Sequence, residues 1–292
     1  MVISLFSGQG SQFTGMGKEI LEKHPDLSSM YDAASSIVGK DLLDLCLNAD
    51  EETLSLTVNA QPAIMITSLA YLEAAKRKGF NFEGVGGHSL GEYAAMVASE
   101  IVSFEDGFRL IKARSEAMGK VASGSMAAVL KLSPEEVERV CSSIGGYVVP
   151  VNYNSPQQTV IAGETEAVSL ALKEFTAMKS RVVYLKVSAA FHSALMQDAA
   201  DEFYETAKTV AFNKPKVKYY SNVTGKRVTD FSDMPSLLAQ HIVSPVLFTT
   251  ELKSMTKSGF FTFAEFGPGK VLTGLVKKTL PDAFAYKYEL KE

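Results

Sequence analysis

The order in which hydrophobic periodicity changes along the chain is the tightest constraint on its fold. From Met126 the pattern gives a strand to Leu132, then a helix opened by Ser133-Pro134-Glu135-Glu136. Strands at Val148 to Val151 and Thr159 to Ala162 follow, then a helix from Thr165 and a strand at Val182 to Val187. That βαββαβ order is the ferredoxin-like unit, small enough to close a core of its own. Outside it, strand-like segments at Val2 to Phe6, Phe82 to Gly86, Val217 to Asn222 and Thr262 to Phe266 alternate with helical patterns. The helices fall at Leu27 to Val38, Phe104 to Val121, Ala194 to Thr209 and Pro235 to Ile242. One more is expected from Pro62, at the first helical position, to Lys78, with Lys76-Arg77-Lys78 in the last turn and Gly79 as terminator. Strands alternating with helices imply parallel pairing through helical crossovers. The expected fold is therefore α/β, an open and mostly parallel sheet interrupted by a ferredoxin-like insertion. The large domain is expected over 1–124 and 190–292 and the insertion over 125–189.

A chain of 292 residues is near the upper size for one hydrophobic core, which suits a large domain carrying a smaller one. The net charge is −4 and Lys and Arg are scattered, so the basic stripe of a nucleic-acid binder is absent. Cys46 and Cys141 are far apart and form no CxxC pair, and the histidines are too dispersed for a zinc site. A reducing, cytoplasmic setting is expected. Met1 to Phe6 has no basic lead-in, no A-x-A-like cleavage site follows, and no apolar run reaches membrane-spanning length, so a soluble, unprocessed chain without membrane contact is expected.

Gly87-His88-Ser89-Leu90-Gly91 lies between a strand-like segment and a helix, the context of a nucleophile elbow. The plainer alternative is a glycine-rich turn capped by Ser89 at a helix start. A serine hydroxyl needs a base within hydrogen-bond reach. His88 is adjacent and leaves the turn in another direction, and His24, before Pro25, reads as an exposed helix end. His192 and His241 both follow the serine, the order found in hydrolases built on an α/β sheet. His192, in a small-residue junction between Ala189-Ala190-Phe191 and Ser193-Ala194, is favoured over His241, which can simply complement a helix dipole. A satisfied core histidine is the alternative for either.

Gly8-Gln9-Gly10 fails as a dinucleotide fingerprint because Phe13 stands where the third glycine belongs, and no Gly-Lys pair precedes Ser or Thr as a phosphate loop would require. Such a strand-end loop can instead aim a backbone N–H at a developing oxyanion, partnered by that of Leu90; a plain tight turn is the other reading. Arg114 falls on or beside the apolar face set by Ile111 and Met118, and a buried guanidinium needs an anion. Glu92 or Glu116 is one candidate partner; a substrate carboxylate gripped in bidentate fashion is the other.

Taken together these segments resemble the malonyl-CoA:acyl-carrier-protein transacylases, the acyltransferase family of fatty-acid and polyketide synthesis. The resemblance runs end to end. It rests on Phe6-Ser7-Gly8-Gln9-Gly10-Ser11-Gln12, Ala60-Gln61-Pro62-Ala63, Gly87-His88-Ser89-Leu90-Gly91-Glu92-Tyr93 and Arg114. It continues through Ala190-Phe191-His192-Ser193, Ser221-Asn222-Val223-Thr224-Gly225 and Glu265-Phe266-Gly267-Pro268-Gly269. It implies a hydrolase-like α/β domain with a ferredoxin-like insertion, and it assigns roles position by position. Ser89 matches the acylated nucleophile, His192 the base, and the N–H groups of Gln9 and Leu90 the oxyanion hole. Arg114 matches the residue that holds the malonyl carboxylate, Gln61 lines the acyl pocket, and Phe191 crowds out an α-methyl branch.

No aspartate completes a triad in this family. The resemblance places the acceptor that orients the histidine within Ser244-Pro245-Val246-Leu247, and because Leu247 stands where relatives usually carry Gln, a backbone carbonyl must serve. Ser7 replaces the family's usual proline. Ala190-Phe191-His192 and Asn154-Ser155-Pro156-Gln157-Gln158 resemble the stand-alone enzymes that serve polyketide synthases in trans; housekeeping fatty-acid synthesis uses the same donor and the same kind of carrier.

The implied reaction is ping-pong transfer of malonyl from malonyl-CoA to the phosphopantetheine thiol of an acyl carrier protein. No metal or redox cofactor is expected, coenzyme A entering as part of a substrate, and a monomer is expected. The rivals are a hydrolase that clears acyl groups from carriers, against which Arg114 argues, and a non-catalytic carrier-binding subunit, against which intact Ser89 and His192 argue. Basic candidates for meeting an acidic carrier are Lys179, Arg181 and Lys186 on the insertion and Lys270, Lys277 and Lys278 on the last helix, although any one of them can simply be a solvated surface residue.

Overall fold

The computed structural model describes residues 1–290. Its strands are β1 (Val2–Phe6), β2 (Gly84–Gly87), β3 (Ser125–Leu130), β4 (Val148–Ser155), β5 (Gln158–Gly163), β6 (Arg181–Tyr184), β7 (Lys218–Ser221), β8 (Lys226–Arg227), β9 (Thr262–Phe266) and β10 (Phe284–Lys287). β1 is apolar or small on both faces, which suits only the middle of a sheet covered on both sides. Ile3 and Leu5 meet one core with Phe248, Leu252 and Phe263. Phe6 meets the larger core with Ile64, Tyr93 and Phe108. β1 is accordingly central in a six-stranded sheet of order β10-β9-β1-β2-β7-β8, parallel except for the β7–β8 hairpin.

Register sets where the site falls. Phe6 pairs level with Gly87 on one side and with Phe266 on the other. The loops that follow β1, β2 and β9 therefore emerge together, at the carboxyl edge where parallel sheets bind ligands.

The second sheet, of order β4-β5-β3-β6, is antiparallel and belongs to the βαββαβ insertion. Ala127 and Val129 of β3 face its two helices, Pro134–Ser143 and Thr165–Ala177, through Val137, Val168 and Phe175. Met126 and Ala128, on the opposite face, join the large core. Where the chain leaves and re-enters the large sheet its two connections touch, Ala190 N–H donating to Ser123 O at 3.1 Å.

One element starts earlier than its residues suggest. The helix expected from Pro62 runs over Thr57–Arg77, with Pro62 inside it. A proline there leaves the carbonyl four residues back without its amide partner. That carbonyl, Val58 O, accepts instead from Lys40 Nζ at 3.1 Å, and Lys40 also bonds Asn59 Oδ1 at 2.7 Å. A side chain distant in sequence thus satisfies what the proline removes.

Candidate active site

Close packing makes the elbow. At Gly87 a Cβ would run into the backbone of Gly91 and Glu92, and at Gly91 into the carbonyl of Phe6, so only glycines let the helix Gly91–Ala98 sit against β1. Between them Ser89 adopts φ 52°, a left-handed conformation that costs a non-glycine residue about 1–3 kcal/mol and must be held in place. The Ser89 N–H is taken by Asn222 Oδ1 at 2.8 Å, and Ser89 O accepts from Glu92 N at 3.1 Å. Leu90 N–H and Gln9 N–H, at the loops after β2 and β1, have no protein acceptor among the described residues. The loop after β1 is tied down by Ser7, whose Oγ donates to Pro268 O at 3.1 Å.

His192 stands across from the elbow, also at positive φ (61°), with Nε2 2.7 Å from Ser89 Oγ. Its Nδ1 lies 2.9 Å from His241 O. A carbonyl can only accept, so Nδ1 carries the hydrogen and Nε2 is left as the acceptor for the serine proton. The resemblance places the acceptor within Ser244 to Leu247; the Ser244 backbone does act on the ring in the favourable sense, but the hydrogen-bonded partner lies just before that segment. It is still a backbone carbonyl, but on the last turn of the helix Met234–Val243. The reason is local: the amide that would cap His241 O in a continuing helix belongs to residue 245, and Pro245 has none. The His241 ring is itself buried beside His192, the ring centroids 5.3 Å apart. Burial, with the Arg114 charge second, pushes the His192 pKa down to about 3, while the His241 carbonyl opposes the shift. His192 is therefore a neutral base through the physiological range.

Arg114, on the helix Phe104–Lys120, is fully buried. Its Nη2 donates to Ser89 Oγ at 3.0 Å and Nη1 to Gln61 Oε1 at 2.8 Å, while Nε has no partner and the guanidinium lies 5.4 Å from the Tyr93 ring centre. Neither carboxylate weighed from the sequence pairs with it. Glu92 is occupied by Tyr219 Oη at 2.5 Å and by Asn222 N–H, and burial lifts its pKa to about 7. Glu116 makes no ion pair with Arg114. The result is a buried cation aimed at a serine oxygen, a place prepared for an anionic group carried by an acyl donor.

A cavity of about 470 Å³ opens in front of these groups, lined by Ser89, His192, Gln9, Gln61, Phe191, Met118 and Met126, the last supplied by the insertion. Gln61 is held between Arg114 and Met118 Sδ, 3.6 Å from its Nε2. His88 also borders the cavity, but its Nε2 is engaged 2.7 Å from Asn154 Oδ1 rather than with Ser89, and His24 does not line the cavity. Of the basic candidates only Lys186 reaches the cavity, in an exposed pair with Glu51 at 3.5 Å. Lys278 lines a separate cleft, and Lys179, Arg181, Lys270 and Lys277 line neither. The sequence reading gave Asn222 no role, although it holds the elbow. The arrangement can do acyl chemistry: a serine with a base, two N–H groups without a protein acceptor among the described residues on loops at the same sheet edge, and a cation to select the acyl group.

A family model for the acyl transferase domain matches residues 3–289. A malonyl CoA-acyl carrier protein transacylase of Bacillus subtilis strain 168 is 40% identical over 283 residues, covering 94% of this chain and 89% of that one. A polyketide biosynthesis malonyl CoA-acyl carrier protein transacylase of the same strain is 36% identical over 289 residues, covering 98% and 99%. Among solved structures, a malonyl-transacylase in complex with a type II polyketide synthase acyl-carrier protein superimposes with a TM-score of 0.94 at 34% identity, covering 98% of this chain and 95% of that one.

Proposed function

The chain belongs to the acyl transferase family, in which its relatives are malonyl-CoA:acyl-carrier-protein transacylases, and from that premise we propose that it moves malonyl groups through an ester on Ser89. It is an acyltransferase. His192 Nε2 takes the Ser89 proton as Oγ attacks the thioester carbon of malonyl-CoA, and the N–H groups of Gln9 and Leu90 receive the oxyanion. The tetrahedral adduct collapses by breaking the C–S bond, and the imidazolium returns the proton to the departing CoA thiolate. The carrier's phosphopantetheine thiol then gives its proton to His192 and attacks the ester, and Ser89 leaves with that proton. Two acyl shifts and their proton transfers balance without metal or redox chemistry.

The observation that carries this reading is the buried Arg114 guanidinium, which donates to Ser89 Oγ and has no carboxylate partner among the described residues. A malonyl carboxylate would replace the Ser89 contact, freeing the nucleophile as it binds. It would also neutralise the charge that depresses His192, so the base strengthens when the right substrate is present. One chain supplies every group named, which supports action as a monomer. Cys46 and Cys141 are unpaired and no described helix is long and apolar enough to cross a membrane, in keeping with the cytoplasm. The test is transfer of labelled malonyl from malonyl-CoA to holo carrier protein: the wild type should load the carrier, and a folded Ser89→Ala variant should not. Loading by that variant at the wild-type rate would overturn the reading.

A further inference from the structure

We infer that Asn222 is a positioning residue for the nucleophile and that Glu251 fixes the orientation in which it works. The inference rests on Ser89 being the nucleophile and goes beyond it. The ladder between β2 and β7 has its last pair at Val85 and Tyr219, before the elbow begins. Past that point the Asn222 side chain carries the link. Its Oδ1 accepts the Ser89 N–H at 2.8 Å and its Nδ2 donates to Gly87 O at 2.7 Å, so one amide brackets the turn from both sides. The Asn222 main-chain N–H bonds Glu92 on the elbow helix, which ties the same residue to the far end of the turn.

A free amide can rotate by half a turn, and that flip would point an NH₂ group at the Ser89 N–H. Glu251, fully buried on the helix Phe248–Lys257, prevents it: Oε2 accepts from Asn222 Nδ2 at 2.6 Å. Nδ2 then has two acceptors, and a flip loses both together with the bond to Ser89. A Cβ at Gly86 would strike the Glu251 carboxyl, so the glycine strand leaves room for it. No cation pairs with Glu251 among the described residues. Burial and neighbouring Glu92 push its pKa well up, while the bond from Asn222 opposes that shift. The peptide plane that Asn222 steadies ends at the Ser89 nitrogen, next to the Cα that carries the hydroxyl and one residue before the Leu90 N–H, so the nucleophile takes its aim from it directly and the oxyanion donor through the following peptide.

The experiment follows the burst rate of Ser89 acylation by malonyl-CoA, the KM for malonyl-CoA, Tm, and labelling of Ser89 by a neutral fluorophosphonate that makes no use of Arg114. Asn222→Ala and Glu251→Leu should slow acylation and labelling by about ten- to a hundredfold with KM nearly unchanged. Glu251→Gln, which keeps an acceptor for Nδ2, should recover most of the rate. If Asn222→Ala does not fold, the two Glu251 variants decide, and hydrogen exchange at the Ser89 amide of the unaltered protein, expected to be slow, decides independently. A folded Asn222→Ala or Glu251→Leu reacting at the wild-type rate would overturn the inference. So would equal losses in the Gln and Leu variants that follow Tm, or rapid exchange of the Ser89 amide. If Ser89 were not the nucleophile, the wild type itself would carry its label elsewhere, which separates the two failures.

Discussion

Replacing Arg114 by Ala removes the buried cation beside Ser89 that distinguishes a carboxylated acyl donor from a neutral one. In the free enzyme the guanidinium donates once to Ser89 Oγ and once to Gln61 Oε1, with Nε unused. A bound malonyl carboxylate can take two of these donors, and charged hydrogen bonds contribute about 1.5–3 kcal/mol each, so about 3–6 kcal/mol is lost with them. At about 1.36 kcal/mol per decade, kcat/KM for malonyl-CoA should fall by about 10²- to 10⁴-fold. Acetyl-CoA offers no partner to the cation. For that donor the substitution releases Ser89 Oγ from a competing bond and removes a charge that weakens His192, so acetyl transfer should hold or rise. The assay is kcat/KM for both donors in both proteins, with the melting curve as a control. An unchanged malonyl-to-acetyl ratio in a folded variant would show that Arg114 merely fills space, and the selectivity argument would fail.

Other consequences are equally direct. His192→Ala should cut acylation by about 10²- to 10⁴-fold, whereas His241→Gln should retain it, because His241 acts through its carbonyl; the reverse result would misplace the base. Since His192 is held down to about 3, kcat/KM should stay level from pH 8 to pH 5. A histidine with the ordinary value would instead lose about 30-fold over that range through protonation, so a decline of that size would contradict the burial argument. Phe191→Ala should raise the rate with methylmalonyl-CoA relative to malonyl-CoA, and an unchanged ratio would remove Phe191 from specificity. If an acidic carrier meets basic residues such as Lys186 at the cavity mouth, rising salt should slow loading of the carrier more than acylation by malonyl-CoA; equal sensitivity would count against charge steering.

The parts of this site that were legible in the sequence are those in which side-chain identity carries the chemistry. Gly87 and Gly91 mark a turn whose packing only glycine allows, with Ser89 between them. Arg114 is conspicuous because a cation on an apolar helix face demands an anion, and the βαββαβ periodicity marks the insertion. What escaped was set by backbone or by distant partners. The acceptor for His192 is a main-chain oxygen, invisible to residue type, although a proline four residues after His241 is the trace it leaves in the sequence. Pro62 reads as a helix start because Lys40, the residue that repairs the break, is remote. The short strands β8 and β10 have no pattern strong enough to announce them; the helix Phe248–Lys257 does space Phe248, Leu252 and Met255 on one face, but a glutamate, Glu251, interrupts that face, and the surroundings of Asn222 and Glu251 went unread.

The central claim is a malonyl ester on Ser89 that is competent for transfer. Intact-mass measurement after mixing the protein with malonyl-CoA, followed by peptide mapping and a chase with holo carrier protein, tests it most directly. A gain of one malonyl group, mapped to Ser89 and moved stoichiometrically to the carrier thiol, is the predicted result. No adduct, an adduct on another residue, or an adduct that is lost to water as free malonate while the carrier stays empty would contradict it.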